Sequence, residues 1–136
     1  MITLATLEAA TAQQVFDQVV AHLRKQGERS YAPLKGNELA RRCAYRGEGG
    51  LKCAAGCFIA DDEYDPEMEN IQWRSLADGV LTPGDHRLIK VPRAHDDLIR
   101  SLQVIHDHSK PEDWENRLAM LALKEGLYID KVSATQ

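Results

Sequence analysis

The sequence predicts an α+β fold that is mainly helical, with a small central β-hairpin and an antiparallel pair of helices at its C-terminal end. Three segments repeat apolar residues at helical spacing, and a glycine-rich run near the centre is flanked by short segments suited to strands. The chain has 136 residues, of which 43% are hydrophobic, which is enough for one sizeable core. We therefore expect residues 1–136 to form a single domain.

The first helix is predicted over residues 12–26. Thr11 and Gln14 have the spacing of a capping box, in which each side chain binds the other residue's backbone N–H. Gly27 supplies a stop signal for the helix. Between these signals, apolar residues recur on one helical face: Val15, Phe16, Val19, Val20 and Leu23.

The centre of the chain, residues 37–80, is predicted to be irregular around one hairpin. Segments 42–46 and 51–57 flank residues 47–50, three of which are glycines that suit a tight turn. A helix starting near Lys52 is the alternative. Asp65 and Pro66 predict a single helical turn, and Trp73 with Leu76 indicates a second short buried element. Residues 82–85 are predicted to be a turn.

Two further helices are predicted over residues of about 93–108 and about 110–125. Each has an apolar stripe at helical spacing. Because the connection between them is short, we expect them to pack as antiparallel neighbours. The stripes consist of Leu98, Leu102 and Ile105 in the first, and of Trp114, Leu118, Leu121 and Ala122 in the second. An exposed part of such a stripe would also allow a homodimer.

Composition narrows the classes of function. A net charge of -4 argues against a general nucleic-acid binder, which needs a basic field to displace counterions from phosphates. The sequence has no apolar run near the roughly 20 residues of a spanning helix, and its first residues lack the basic start of a secretion signal. We expect a cytoplasmic protein without a membrane partner. Three cysteines suit reduced thiols or a metal site better than disulfides.

The segment over residues 43–70 is unusual because it holds all three cysteines and a strong charge division. Four basic residues and one acid lie in residues 41–60, whereas residues 61–70 contain six acids and no basic residue. Such a run is either a solvated surface or a docking surface that orients a partner. For a partner surface, the candidate residues are the acids and two neighbouring aromatic residues: Asp61, Asp62, Glu63, Tyr64, Asp65, Glu67, Glu69 and Trp73.

The cysteines are candidate metal ligands. Cys53 and Cys57 are four residues apart, and Cys43 could approach them across the hairpin, so a zinc site of three thiolates and a histidine is one hypothesis. The alternative is that the cysteines are small buried residues of the core. The spacing lacks the paired C-x2-C pattern of structural zinc sites, so we favour a chain without a cofactor.

A thiol enzyme is the other chemical hypothesis. No catalytic motif is complete, but Cys57, His106 and Asp107 could supply a nucleophile, a base and a residue that orients the base. A histidine at the end of a helix is also favoured simply by the helix dipole. We prefer this second interpretation for His106.

Three stretches of the chain resemble a widespread set of small bacterial and phage proteins of unassigned function. The most specific stretch is CAYRGEGGLKCAAGCFIADDEYDPEMEN, and the other two are TAQQVFDQVVAHLRKQGERS and LIRSLQVIHDHSKPEDWENRLAMLALKEGL. The resemblance implies an accessory role in a phage or prophage. Small proteins of that kind often bind and redirect or block a host protein, including components of host defence.

Two functions from different classes follow. The first is a non-enzymatic accessory protein in the bacterial cytoplasm that binds a host protein, such as a defence component or a nucleic-acid-binding factor. The second is a small zinc-dependent or thiol-dependent enzyme that uses Cys43, Cys53, Cys57 and His106. We favour the first, because no nucleophile motif is complete.

Overall fold

Four helices and two short antiparallel sheets form the regular structure of the described residues. The computed structural model describes residues 1–34, 37–69, 71–78, 80–81 and 89–131. The predicted class, α+β and mainly helical, is confirmed. The helices are α1 (Ala12–Gln26), α2 (Trp73–Asp78), α3 (Asp96–His108) and α4 (Trp114–Glu125), and the strands are β1 (Tyr31–Leu34), β2 (Asn37–Cys43), β3 (Val80–Leu81) and β4 (Ile89–Lys90).

Helix α1 has the predicted bounds because both of its ends carry specific caps. The Thr11 hydroxyl accepts the backbone N–H of Gln14, and the Gln14 side chain accepts that of Thr11, so the capping box is complete. Gly27 ends the helix with φ of 70°, a conformation that glycine adopts without steric cost. The buried face of α1 packs on α3 in a single core cluster.

The predicted position of the hairpin was wrong. The first sheet pairs β1 with β2 and places Tyr31 opposite Cys43, whereas segments 42–46 and 51–57 share only one antiparallel bridge, Arg46 to Lys52. Strand β1 contains Pro33, which a two-stranded sheet tolerates because both of its strands are edge strands. After Lys52 the chain turns into a 3-10 helix, Gly56–Phe58, among small buried residues.

Two glycines of the central motif allow close backbone contacts. A Cβ atom on Gly47 would lie 2.4 Å from the Ser30 Oγ atom, and a Cβ atom on Gly56 would lie 2.2 Å from the Tyr45 carbonyl oxygen. No other residue fits at such distances without moving the backbone. The glycines therefore pack the irregular segment 44–58 against itself and against β1.

The remaining elements surround α3. This helix begins at Asp96, after His95 in a left-handed conformation, and α4 follows a 3-10 turn over Pro111–Asp113. Helix α3 packs against α1, α2 and α4. The predicted single turn after Asp65 is present as Pro66–Met68, and the predicted turn at 82–85 lies outside the described residues. Among the helices of the described ranges, none combines the length and apolar character needed to span a membrane.

Candidate functional site

Asp107, near the end of α3, has a largely buried carboxylate that connects several polar side chains by hydrogen bonds. Its Oδ1 atom accepts hydrogen bonds from His106 Nδ1 at 2.6 Å and from Gln103 Nε2 at 2.8 Å. The Cys43 thiol, which β2 brings to α3, is a third partner. Burial raises the pKa of Asp107, but these hydrogen bonds outweigh it and hold the pKa below its ordinary value. Asp107 is therefore a stabilised anion.

The hydrogen bonds of His106 define its tautomer. The ring is fully buried and stacks on Trp114 with 5.7 Å between centroids. The backbone N–H of Ser30 donates to His106 Nε2 at 3.0 Å, and a backbone N–H can only donate. Nε2 must therefore carry the lone pair, and Nδ1 carries the proton that it donates to Asp107. Both ring nitrogens are used inside the protein.

This arrangement differs from the predicted thiol site of Cys57, His106 and Asp107. The structure joins His106 to Asp107, but the thiol beside them belongs to Cys43, and its partner is the carboxylate rather than the imidazole. Burial, together with the nearby Asp107 charge, raises the pKa of Cys43 to about 12. Burial also raises the pKa of Cys57 to about 12, and its thiol donates to the Ala54 carbonyl at 3.1 Å. Neither thiol is activated as a nucleophile.

The predicted zinc ligands Cys43, Cys53 and Cys57 do not form a group among the described residues. The group that does form contains Cys43, His106 and Asp107, with ligand atoms within 4.8 Å of one another. The imidazole nitrogen that faces this group is Nδ1. A neutral histidine that binds metal through Nδ1 carries its proton on Nε2, but Nε2 already faces the Ser30 N–H donor. The cluster therefore suits a hydrogen-bond network better than a metal.

Two acids of the predicted partner surface bind backbone amides. The carboxylate of Glu63 accepts the N–H groups of Leu4 at 3.0 Å, Ala5 at 2.9 Å and Ala60 at 2.9 Å. These contacts attach the N-terminal arm to the acidic segment. Glu69 has the corresponding role on the other side of the segment.

The carboxylate of Glu69 fixes the start of the glycine-rich motif. It accepts the N–H groups of Tyr45 at 3.0 Å and Arg46 at 3.1 Å, and the Tyr64 hydroxyl at 2.7 Å. The Arg46 guanidinium lies 4.6 Å from the centre of the Tyr64 ring. Tyr64 is thus partly covered by the motif itself.

The other candidates of this surface divide into buried and exposed residues. Trp73 is only 3% exposed and packs at 6.3 Å from the Tyr45 ring. Asp65 caps the turn after it by accepting the Glu67 N–H. Asp61 is exposed and pairs with Arg46 at 2.8 Å, and the side chains of Asp62 and Glu67 are also exposed. Asp61, Asp62 and Glu67 are called the acidic edge below.

An open cleft of about 550 Å³ lies between the end of β2, the start of α2 and α3. Cys43, Asp107 and Trp73 are among the residues that line it. Its lining includes three arginines, Arg42, Arg74 and Arg100, and the space is called the arginine cleft below. A cleft of this size can hold a small organic molecule.

Sequence patterns missed Ser30, Gln103 and the three arginines. Ser30 acts mainly through its backbone N–H, which any residue could supply, and its hydroxyl donates to the Ala44 carbonyl at 2.8 Å. Gln103 lies one helical turn before Asp107, and this i, i+4 spacing was the only available signal. The arginines come from three separate elements, so only the fold brings them together.

Some large apolar side chains are exposed on the last helices. Met120 and Leu123 on α4 are 63% and 85% exposed, and Val104 on α3 is 49% exposed. They are the residues that the predicted homodimer would use. Self-association remains a prediction, which the mass measured by light scattering would test.

Comparison of the sequence with protein-family models, with curated proteins and with solved structures finds no match. The geometry of the site is therefore the main basis for a functional proposal.

Proposed function

We propose that this chain is a non-enzymatic accessory protein of phage or prophage type that binds a host protein through its acidic edge. The observation that carries the proposal is the way in which Glu63 and Glu69 bind backbone amides on both sides of the acidic segment. These contacts hold the backbone of the segment against the core, so the exposed residues Asp61, Asp62 and Glu67 project from a fixed stretch of backbone. A preorganised charged surface loses little entropy when it binds.

The state of the thiols and of the histidine supports a role without catalysis. The Cys43 and Cys57 thiols remain protonated at neutral pH, because burial raises the pKa of each to about 12. His106 has no nitrogen available as a base, since Ser30 and Asp107 occupy both. A thiol enzyme needs a thiolate and a base, and these residues supply neither.

The basic partner that would suit the acidic edge is a host protein with an exposed cationic surface. A nucleic-acid-binding factor has such a surface, and so do many components of host defence that act on nucleic acid. Charge complementarity of this kind mainly increases the rate of association and fixes orientation. We therefore expect the complex to weaken as the salt concentration rises.

A pull-down with two matched variants tests the acidic edge. The test variant combines Asp61→Asn, Asp62→Asn and Glu67→Gln, and the control combines Glu112→Gln, Asp113→Asn and Glu125→Gln. Both variants lose three exposed acids, so they have the same net charge. A host protein that the wild type and the control recover, but the test variant does not, supports the proposal. Equal recovery of every host protein by both variants contradicts it.

The zinc-dependent alternative has its own measurement. Protein purified without a histidine tag is analysed for bound metal, because tags retain adventitious zinc. Less than one zinc per several chains excludes a dedicated site. One zinc per chain that is lost in a Cys43→Ser variant supports the alternative and contradicts the tautomer deduced for His106.

A further inference from the structure

The arginine cleft brings three arginines to one cavity in a chain whose net charge is -4. Its two acids are already engaged. Glu69 accepts two backbone amides and a tyrosine hydroxyl, and Asp107 accepts bonds from His106 and Gln103. Arg74 pairs with Asp97 and, at 3.9 Å, with Asp96. The charges of Arg42 and Arg100 therefore dominate the remaining lining.

Two hydrogen-bond donors in the walls of the cleft have no acceptor among the described residues. They are Nε of Arg42 and the indole Nε1 of Trp73, and both atoms are shielded from solvent. A buried tryptophan N–H normally finds a partner. The other tryptophan follows this rule, since Trp114 Nε1 donates to the Ser109 carbonyl at 3.2 Å. Arg46 Nε is a third nitrogen of this kind and does not line the cleft, but the other two lie together in its walls, as an absent acceptor there would leave them.

We propose that the arginine cleft binds a small organic anion, whose carboxylate or phosphate oxygens accept hydrogen bonds from the Arg42 guanidinium and from the Trp73 indole. Arginine presents several N–H donors in one plane and suits both kinds of anion. Because both nitrogens are shielded from solvent, the cleft walls must move for the ligand to reach them. This site goes beyond the proposed function, because it lies apart from the acidic edge and does not require a host protein.

Titration monitored by ¹H–¹⁵N NMR tests the proposal on the full chain. The chain has two tryptophans, so its spectrum has two indole N–H resonances, and Trp73→Phe identifies the one of interest. Inorganic phosphate, citrate and chloride are added separately at matched ionic strength. We expect a saturable shift of the Trp73 indole and of the Arg42 Nε–H with phosphate or citrate. The resonance of Trp114 should stay in place as an internal control.

Variants then assign the anion to the cleft. Arg42→Gln removes the charge and should weaken binding by about tenfold or more, which corresponds to one lost charged hydrogen bond. Arg42→Lys is the second variant, in case the first one fails to fold. Arg117→Gln, at an exposed position of α4, is the matched control and should bind like the wild type.

The outcomes are distinct. Saturation with phosphate alone identifies a phosphate ligand, and saturation with citrate alone identifies a carboxylate ligand. Shifts that chloride reproduces, or that affect both indoles equally, overturn the proposal. It is also overturned if neither resonance of the cleft responds in the millimolar range. These results do not depend on the pull-down, so either proposal can fail alone.

Discussion

The backbone N–H of Ser30 donates to Nε2 of His106 across 3.0 Å, although 76 residues separate them in the sequence. This bond joins the residue that precedes β1 to the end of α3, and it determines which nitrogen of the ring carries the proton. The other nitrogen then binds Asp107, which also holds Cys43. A histidine that resembles a catalytic base in the sequence is thus a buried junction between the sheet and the helices.

The first prediction concerns this junction. His106→Phe keeps the size of the ring and its stacking on Trp114, but it removes both hydrogen bonds. The Ser30 N–H is left without an acceptor, and Asp107 loses one donor. We expect the free energy of unfolding to fall by about 3 kcal/mol, measured by urea denaturation.

His106→Gln tests whether the lost hydrogen bonds cause the decrease in the free energy of unfolding. The glutamine oxygen can replace Nε2 as acceptor for the Ser30 N–H, so this variant should lose less stability than His106→Phe even though it loses the ring. If His106→Phe is the more stable of the two, the contacts of the ring contribute more to stability than its hydrogen bonds, and the prediction is wrong.

The second prediction concerns thiol reactivity. Because burial raises the pKa of Cys43 and of Cys57 to about 12, from 9.0, their thiolate fraction at neutral pH is about a thousandfold below that of a free cysteine. Iodoacetamide should therefore modify both residues very slowly in the native protein, as measured by peptide mass spectrometry. The unfolded protein in urea is the control and should react at ordinary rates. Rapid native labelling of Cys43 would restore the thiol-enzyme hypothesis.

The third prediction separates two roles of glycine. In Gly56→Ala the new methyl group would lie 2.2 Å from the Tyr45 carbonyl oxygen. This oxygen belongs to the backbone, so the contact cannot be relieved by the rotation of a side chain. We expect a loss of about 2 to 3 kcal/mol in the free energy of unfolding. Gly49→Ala is the matched variant, since its φ is 70° but no atom lies within 4 Å of the new methyl group.

Gly49→Ala should cost only about 1 kcal/mol, because the left-handed conformation is its sole penalty. Thermal or urea unfolding of the two variants gives the comparison. Equal losses would mean that the contact between Gly56 and Tyr45 relaxes easily, and the proposed reason for glycine at position 56 would then be wrong.

The fourth prediction concerns Glu63, whose carboxylate binds three backbone N–H groups. Glu63→Ala leaves these groups without their acceptor, so we expect a loss of about 2 kcal/mol. Hydrogen exchange should accelerate at Leu4 and Ala5 more than in α1. Glu67→Ala, an exposed acid of the same segment, is the control and should stay within about 0.5 kcal/mol of the wild type. Unchanged exchange at Leu4 would contradict the role of Glu63.

The helices were predictable because their signals are local. The capping box at Thr11 and the stop at Gly27 lie within a few residues of the helix they bound, and α1 has the predicted range. Helix α3 begins about three residues after its predicted start, because no sequence signal marks the left-handed conformation of His95, a residue that is neither glycine nor asparagine.

The sheet and the site were harder to predict because they depend on contacts that are distant in the sequence. The strand partner of Cys43 is Tyr31, and the strand that contains Tyr31 also contains Pro33, a residue that disfavours strands. The sequence predicts that Asp107 and His106 act as a pair, but it predicts Cys57 as their cysteine, whereas the structure places Cys43 beside them. Which cysteine lies beside this pair depends on how β2 packs against α3, and no local sequence pattern predicts that packing.

The fifth prediction is that the free energy of unfolding decreases as the pH falls, and that His22 is one cause. Its Nε2 lies 2.8 Å from the Lys52 carbonyl oxygen, which only accepts, so Nε2 carries the proton of a neutral ring. Burial lowers the pKa of His22 below 6.5, and the Lys52 contact offsets this only in part. Just below pH 6.5 the unfolded chain then binds more protons than the folded one, so the contribution of His22 to stability decreases as the pH falls from about 7 to about 5.

The variant His22→Gln tests this prediction, because glutamine keeps an N–H donor for Lys52 but does not titrate. Urea denaturation across this range should therefore show a shallower pH dependence for His22→Gln than for the wild type. Identical slopes for the wild type and His22→Gln would show that His22 binds its proton equally well in the folded and unfolded chain.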